Sequence, residues 1–204
     1  MWRFVLQGNI QRFKGLMEHA DSDEQRQTLR RLLLEAETEL NELEKASTPE
    51  IAKNDAWLDL LANRAVDQAM GLSGAQFASL QVFDETREHL IILAQRNLRA
   101  KFLHHLSQMK PGDGSACGRC LAEDAPAVVV NVQEDGPFKP HLQAATEAGI
   151  HAAAAFPVRD GSAQLIAVLS IYFEAPRSWS DDEMHRMSDF ADAAGKNLEG
   201  HLHR

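Results

Sequence analysis

The sequence predicts an α+β domain, with helices towards both ends of the chain and strands between them. Apolar side chains recur at helical spacing in three main segments, residues 10–45, 55–70 and 180–202. Short apolar or alternating segments of strand length are residues 76–84, 89–95, 128–132, 152–158 and 165–173. Turn-like connections at residues 84–88 and at Asp160-Gly161 favour hairpins, and therefore antiparallel pairing. With 204 residues, the chain is long enough for one domain of roughly 150 residues and an appendage.

The first 45 residues predict an antiparallel helical hairpin. Its first apolar stripe comprises Ile10, Phe13, Leu16, Met17 and Ala20. Ser22 and Gln25 form a capping box that starts a second helix. The near-heptad seam of that helix comprises Leu29, Leu32, Leu33, Ala36, Leu40 and Leu43. We assign residues 1–50 to the hairpin and residues 51–204 to the α+β domain. We expect the hairpin to act in packing or dimerisation, and a docking surface for another protein is the alternative.

Three further helices follow from capping and stop signals. One is expected from Asp55 to a glycine stop at Gly71. A second is expected over residues 98–109, where apolar side chains return to helical spacing. The last helix has the clearest start, because Ser180 caps it and Glu183 completes the capping box. These helices are expected to cover the sheet.

Residues 112–173 and their flank carry an ordered set of short motifs. These are GSACG at 114–118, VVVNV at 128–132, AGI at 148–150, FPV at 156–158 and LIAVLSIYFEAPRSWSDDEM at 165–184. Over about residues 54–200, their order and spacing resemble those of GAF domains, in particular the GAF domains of bacterial sensor proteins. The resemblance implies a GAF/PAS-like antiparallel sheet of five or six strands with helices on both faces. It also implies a non-catalytic sensory or regulatory module of bacterial signal transduction, which binds a small molecule or a protein partner.

In GAF domains the ligand cavity lies between the sheet and a covering helix and loop, which the resemblance places at residues 102–117 and 138–151. The candidate ligand-binding residues are Phe102, His105, Cys117, Asn131, Phe138, His141 and His151. For each histidine, a partly exposed position on an amphipathic element is the alternative. Many relatives carry an acidic residue where Asn131 stands, and the alanine-rich strand at residues 152–155 either leaves an apolar cavity or packs one shut. The ligand and any cofactor stay unknown.

Cys117 and Cys120 carry the sharpest chemical prediction. Ser115 is positioned to cap a helix, so Cys117 would lie in the first turn, where the helix dipole and nearby Arg119 favour a thiolate. Cys120 falls one turn later on the same face. The alternative is a pair of small, buried and inert side chains. A zinc site would need two further ligands that the sequence does not indicate, so we predict no metal site.

The alternative function is that of an enzyme, because one GAF branch reduces free methionine sulfoxide with cysteines. In that reading Cys117 and Cys120 would be the redox residues. The resemblance implies three cysteines on separate elements, and acidic residues that grip the substrate amine. Here only Cys117 matches by position, and Asn131 stands at the acidic position, so we predict no catalysis. The sequence also lacks the Cys-His pair that a phytochrome-type bilin usually needs. It contains no phosphate loop, dinucleotide fingerprint or nucleophile elbow.

Charge and composition limit the partners. Thirty acidic residues against 21 basic ones give a net charge of −9, which weighs against nucleic acids and anionic membrane surfaces. The longest apolar runs are far shorter than the ~20 residues of a membrane-spanning helix. Two cysteines without a wider framework fit a reducing compartment, so we predict a cytoplasmic protein. The seams at residues 29–43 and 184–202, together with the resemblance, predict a homodimer through the terminal helices. No output domain follows the last helix, so we expect a separate signalling partner protein.

Overall fold

A computed structural model describes residues 9–10, 13–17, 22–46, 49–83 and 90–202 of the chain. The predicted turn at residues 84–88 lies outside these residues. The described elements are α1 Asp23–Ala46, α2 Pro49–Ser73, β1 Phe77–Phe83, β2 Leu90–Arg96, α3 Ala100–Leu106, α4 Ala116–Glu123, β3 Ala127–Val129, a 3₁₀ turn Lys139–His141, α5 Leu142–Ala148, β4 Ala152–Arg159, β5 Leu165–Phe173 and α6 Asp181–Leu202.

The strands form one five-stranded sheet in the order β2-β1-β5-β4-β3, and every neighbouring pair is antiparallel. The predicted α+β architecture and antiparallel pairing are therefore confirmed, with five strands in the described part of the chain. Antiparallel order follows from the hairpin between β4 and β5, whose turn is held by Asp160. The Asp160 Oδ1 atom accepts hydrogen bonds from the amides of Ser162 and Gln164, at 2.9 Å each.

Helices cover both faces of the sheet. On the first, which we call the α2–α6 face, helices α2 and α6 pack on the strands and on each other. On the second, the α3–α5 face, the short helices α3, α4 and α5 cover the strands. Because side chains alternate along a strand, Leu80 and Val82 of β1 join the α2–α6 core whereas Phe77 joins the α3–α5 core. Both cores are buried, so the central strands have no solvent-facing side.

Helix α6 approaches the sheet closely at one glycine. A Cβ atom added at Gly195 would lie 2.0 Å from the backbone oxygen of Arg159 on β4. The absence of a side chain at this position therefore sets the distance between α6 and the sheet. On the same helix, a Cβ atom at Gly200 would meet nothing within 4 Å.

The capping predictions are confirmed at three helix starts. The Ser180 amide donates to Glu183 Oε2 at 2.9 Å, and the Glu183 amide donates to Ser180 Oγ at 3.3 Å. The Gln25 amide donates to Ser22 Oγ at 3.2 Å, which starts α1. The Gly118 amide donates to Ser115 Oγ at 2.9 Å, which starts α4. Each bond satisfies one amide that the first helical turn leaves without a backbone partner.

Several predicted boundaries are wrong. Helix α2 begins at Pro49 rather than Asp55, because proline suits the first helical position, where its missing N–H group is not needed. Helix α3 covers only Ala100–Leu106, since the amides of residues 108 and 109 bond three residues back as turns. Strand β3 ends at Val129 instead of residue 132, because Asn131 begins a turn and its Oδ1 accepts from the Gln133 amide at 3.1 Å.

The N-terminal helices pack together ahead of the sheet domain. Residues 9–10 and 13–17 are helical, and Ile10 and Phe13 are buried in one cluster with Leu29 and Ala36 of α1. Lys14 and Glu37 form an ion pair across the two segments at 3.1 Å. The expected packing of two helical segments is therefore confirmed in the described residues. Within those residues, no helix combines the length and apolar character needed to span a bilayer.

Candidate functional site

The candidate site is the buried interior of the α3–α5 face. Phe102 of α3, Cys117 of α4 and Phe138 of the following loop are each at most 3% exposed. They pack together with the alanine-rich strand β4, whose Ala153 and Ala155 are equally buried. These side chains therefore belong to one buried cluster between the sheet and the short helices.

A glycine-rich loop leads into α4 and fixes its start. Gly114 has a φ of +91°, and a Cβ atom there would lie 2.0 Å from the Pro137 backbone oxygen. Asp113 organises the loop, because its carboxylate accepts from the Lys110 amide at 2.9 Å and from the Ser115 amide at 3.0 Å. The loop is thus held in contact with residues that precede α5.

An ion pair joins α4 to the loop that follows β3. Arg119 makes a bidentate contact with the carboxylate of Asp135, with one Nη1–Oδ2 distance of 3.0 Å. The Arg119 Nε atom also donates to the Gly114 carbonyl at 2.9 Å. Burial alone would raise the pKa of Asp135, but hydrogen bonds from Arg119 and from the Phe138 amide outweigh it and lower the pKa. Arg119 therefore holds two loops together, and it is not among the groups that shift the pKa of Cys117, although the sequence predicted that its charge would favour a thiolate there.

Two histidines and two phenylalanines form a continuous chain of ring contacts. Phe102 contacts His105, His105 contacts His141, and His141 contacts Phe138, with ring centroids 5.1 to 6.2 Å apart. The His105 Nε2 atom lies 2.9 Å from His141 Nδ1, and His141 Nε2 lies 2.9 Å from the backbone oxygen of Asp113. Burial, and secondarily the neighbouring His141 ring, lower the pKa of His105, which favours its neutral form.

Five polar side chains meet at the centre of this face, and we call them the polar core cluster: Ser79, Gln81, Cys117, Ser170 and Tyr172. All are at most 4% exposed. The Ser79 and Tyr172 hydroxyls are 3.3 Å apart, and the Cys117 thiol donates to Gln81 Oε1 at 3.6 Å. Ser170 is close enough to favour ionisation of Cys117 and Tyr172, yet its Oγ makes no hydrogen bond of ordinary length. Gln81 Nε2 likewise has no partner in the described part of the chain.

Sequence reasoning missed four members of this cluster. Ser79 and Gln81 alternate with apolar residues along β1, a pattern that normally indicates a solvent-facing side. Ser170 and Tyr172 have the same pattern on β5, and the strand register places Ser170 opposite Ser79. The signal that could have revealed them is that polar residues occur at alternate positions of two strands whose other faces are apolar.

The expectation of a reactive thiolate at Cys117 is wrong. Cys117 does lie in the first turn of α4, but burial raises its pKa, and the adjacent Cys120 raises it further. Burial also raises the pKa of Cys120 to about 12. The free-energy cost of removing the thiolate from water exceeds the stabilisation that the helix N-terminus provides. Both cysteines are free and buried, which is the alternative considered for them above.

Five of the seven candidate ligand-binding residues gather on this face: Phe102, His105, Cys117, Phe138 and His141. The other two have different surroundings. The Asn131 side chain caps a turn through the Gln133 amide. His151 is half-buried, and its backbone pairs with Val132 and Phe173. Among the residues that the structure describes, no group of three or more His, Cys, Asp or Glu side chains could hold a metal ion.

Comparison with known families decides what this arrangement is. A family model described as "GAF domain" matches residues 58–199, which include the whole sheet and most of both long helices that cover it. The chain belongs to the GAF domain family. No curated protein matches the chain in sequence.

Solved GAF structures share the fold at low sequence identity. A domain described as part of a two-component sensor histidine kinase of Sinorhizobium meliloti 1021 is 20% identical, with a TM-score of 0.55 over 69% of this chain and 89% of that one. The blue-light absorbing form of the Thermosynechococcus elongatus PixJ GAF domain is 15% identical, with a TM-score of 0.53 over 75% and 89%. This GAF domain therefore resembles in fold those of a sensor kinase and a photoreceptor.

An enzyme also shares this fold. The type II free methionine-R-sulfoxide reductase of Thermoplasma acidophilum is 12% identical, with a TM-score of 0.57 over 73% of this chain and 97% of that one. Identity at this level shows the fold alone. The chemistry must therefore be argued from the residues of this chain.

Proposed function

We propose that this chain is a non-catalytic sensory or regulatory GAF module, which binds a small molecule at the polar core cluster of the α3–α5 face. The observation that carries the proposal is a pair of buried atoms, Gln81 Nε2 and Ser170 Oγ, that make no hydrogen bond of ordinary length to any described residue. A buried polar group without a hydrogen bond costs about 1–3 kcal/mol. A ligand that offers an acceptor to Gln81 and a partner to Ser170 recovers that cost, which is a source of affinity.

The chemistry of the cluster favours an uncharged ligand. Its members are two hydroxyl-bearing serines, an amide, a phenol and a thiol, and burial raises the pKa of Tyr172 as it does that of Cys117. No member carries a charge that could offset the desolvation of an ion. A small neutral molecule with a carbonyl or similar acceptor fits these groups best.

Signal output is proposed to run through the terminal helices and a separate partner protein. On α2, Trp57, Leu60 and Leu72 are 47%, 55% and 58% exposed, which is unusual for large apolar side chains on one helix. A groove between α2 and α6 lies beside them and includes Leu61 and Phe190. We propose that a second copy of the chain covers this surface, giving a homodimer through α2 and α6.

The second candidate function, a thiol-dependent methionine sulfoxide reductase, is favoured only by the presence of Cys117 at the expected position. Both thiols lie on one short helix, and burial raises their pKa values. Incubation with free methionine sulfoxide and a thiol reductant should therefore give no methionine above a Cys117→Ser control. Turnover that the variant loses would overturn the proposal of a non-catalytic module.

Ligand binding is tested by native mass spectrometry of the purified full chain, together with its absorption spectrum. We expect a non-covalent added mass in the wild type, and loss of that mass in Gln81→Leu. Gln133→Leu makes the same change at an exposed loop position and should retain it. The proposal fails if the wild type carries no added mass and no neutral carbonyl compound in a small library raises its melting temperature.

A further inference from the structure

An outer groove of about 880 Å³ lies between α3, α5 and residues 15–16 of the N-terminal helical segment. This volume is within the range of small-molecule sites, roughly 300–1,000 Å³. The N-terminal segment is close to α3, since a Cβ atom on Gly15 would lie 3.7 Å from that of Ala100. Leu106 and Ala145 of the two helices are buried in the core beneath. The groove is therefore distinct from the polar core cluster.

The two ends of the groove differ in chemistry. At one end, Arg99 Nη1 donates to the Glu147 backbone oxygen at 3.1 Å, and Lys101 Nζ lies 3.9 Å from the Glu147 carboxylate. At the other end, His105 pairs with His141. Helices α3 and α5 are consequently antiparallel along the groove. The Lys101–Glu147 pair is exposed and long, so it opposes an incoming anion only weakly. Two cations against one carboxylate make this end attractive to a negatively charged group.

The histidine end presents a hydrogen-bond acceptor. The Asp113 backbone oxygen can only accept, so His141 must carry its proton on Nε2. In that tautomer the Nδ1 atom of His141 is an acceptor, so the His105 ring donates from its Nε2 atom. His105 is half-buried and lines the groove, and in its neutral form its Nδ1 atom is left as an acceptor. None of the described residues provides a hydrogen-bond donor to that atom.

We propose that the outer groove binds a hydroxyaryl carboxylate, whose hydroxyl donates to His105 Nδ1 and whose carboxylate is held by Arg99 and Lys101. Lys101 and His105 are four residues apart on α3, which corresponds to about 6 Å along the helix axis. That separation suits a hydroxyl and a carboxylate at opposite ends of one aromatic ring. Leu16 and Ala144 line the groove between the ends and offer the ring an apolar contact.

Neutral His105 makes the groove selective for a hydroxyl over a second carboxylate. Burial and the adjacent His141 lower the pKa of His105, so at neutral pH its free nitrogen repels a second anionic group and accepts from a hydroxyl. A dicarboxylate should therefore bind less well than a hydroxy acid of similar length. This discrimination is what distinguishes a site from a merely cationic surface.

The test uses the ¹⁵N-labelled full chain at about pH 7.5, with 4-hydroxybenzoate as the probe and amide chemical shifts as the readout. We expect saturable shifts confined to the groove, at residues 15–16, 99–108 and 140–148. Benzoate lacks the hydroxyl and methyl 4-hydroxybenzoate lacks the charge, and each should bind about 3- to 10-fold more weakly, as expected for loss of one hydrogen bond or one charged contact. His105→Phe and Lys101→Ala should each produce a loss of similar size.

Arg64→Ala is the matched control, because it removes an exposed cation on α2, away from the groove. It should leave probe affinity unchanged. Lys101→Ala keeps the test decisive even if His105→Phe disturbs folding, since Lys101 is exposed and outside the histidine chain. The proposal is overturned if about 10 mM probe causes no shifts in the wild type, a concentration roughly tenfold above a millimolar Kd. It is also overturned if the three compounds bind equally, or if Gln81→Leu abolishes binding while Lys101→Ala does not.

Discussion

Alkylation of the cysteines gives a quantitative test of whether this GAF domain can perform thiol chemistry. Only the thiolate reacts, and an ordinary thiol of pKa ~8.5 is about one-tenth ionised at pH 7.5. Burial raises the pKa of Cys120 to about 12. At pH 7.5 its thiolate fraction is then about 3 × 10⁻⁵, which is roughly 3,000-fold lower than that of the ordinary thiol. Burial also raises the pKa of the Cys117 thiol, which should therefore react no faster.

The assay is the rate of iodoacetamide incorporation in native protein, followed by intact mass, with protein unfolded in urea as the reference for exposed thiols. We expect native protein to react at least a thousandfold more slowly than the reference, and the rate to rise about tenfold per pH unit between pH 7 and 9, because the ionised fraction grows tenfold per unit below the pKa. Two thiols reacting at the unfolded rate, or a rate that levels off near pH 7, would show that burial does not control their pKa. The reasoning against a reductase would then fail.

Two further predictions concern packing and assembly. Gly195→Ala should lower the free energy of unfolding, measured by urea denaturation, by about 1–3 kcal/mol, because its Cβ would overlap the Arg159 backbone oxygen. Gly200→Ala on the same helix should leave the free energy of unfolding unchanged or raise it by up to about 1 kcal/mol. Equal effects of the two substitutions would contradict the close approach of α6 to the sheet. Light scattering should show a homodimer at tens of micromolar protein, a concentration at which interfaces of standard size persist. The double variant Phe190→Glu, Leu72→Glu should be a folded monomer. A monomeric wild type would exclude the proposed pairing.

The order of elements could be predicted because each has a local signal. Ser180 and Ser115 indicate helix starts through capping bonds that involve only three or four neighbouring residues. The β4–β5 hairpin is likewise indicated by the short Asp160-Gly161 turn. The boundaries were less certain. Proline is common both just after a helix end and at the first position of a helix, so the sequence alone does not show that Pro49 is the first residue of α2.

The candidate site depends on contacts between distant parts of the chain, which local sequence patterns do not predict. Gln81 has the alternation of a half-exposed strand, yet it is fully buried because helices cover both faces of the sheet. For Cys117, the helix start was visible in the sequence, whereas the desolvation that outweighs it comes from side chains far away in the sequence. His105 and His141 were both singled out, but their hydrogen bond requires the antiparallel packing of two short helices that no local pattern encodes.

The alternation along β1 has a mechanical consequence. Gln81 belongs to the polar core cluster on one face, while its chain neighbours Leu80 and Val82 are embedded among the residues of α2 and α6 on the other. Peptide units are rigid and the interior is closely packed, so a strand cannot shift on one face alone. Any displacement of about an ångström that repositions Gln81 must also push Leu80 and Val82 against the long helices. The two faces of the sheet are therefore mechanically coupled through β1, and a shift on one face requires a shift on the other.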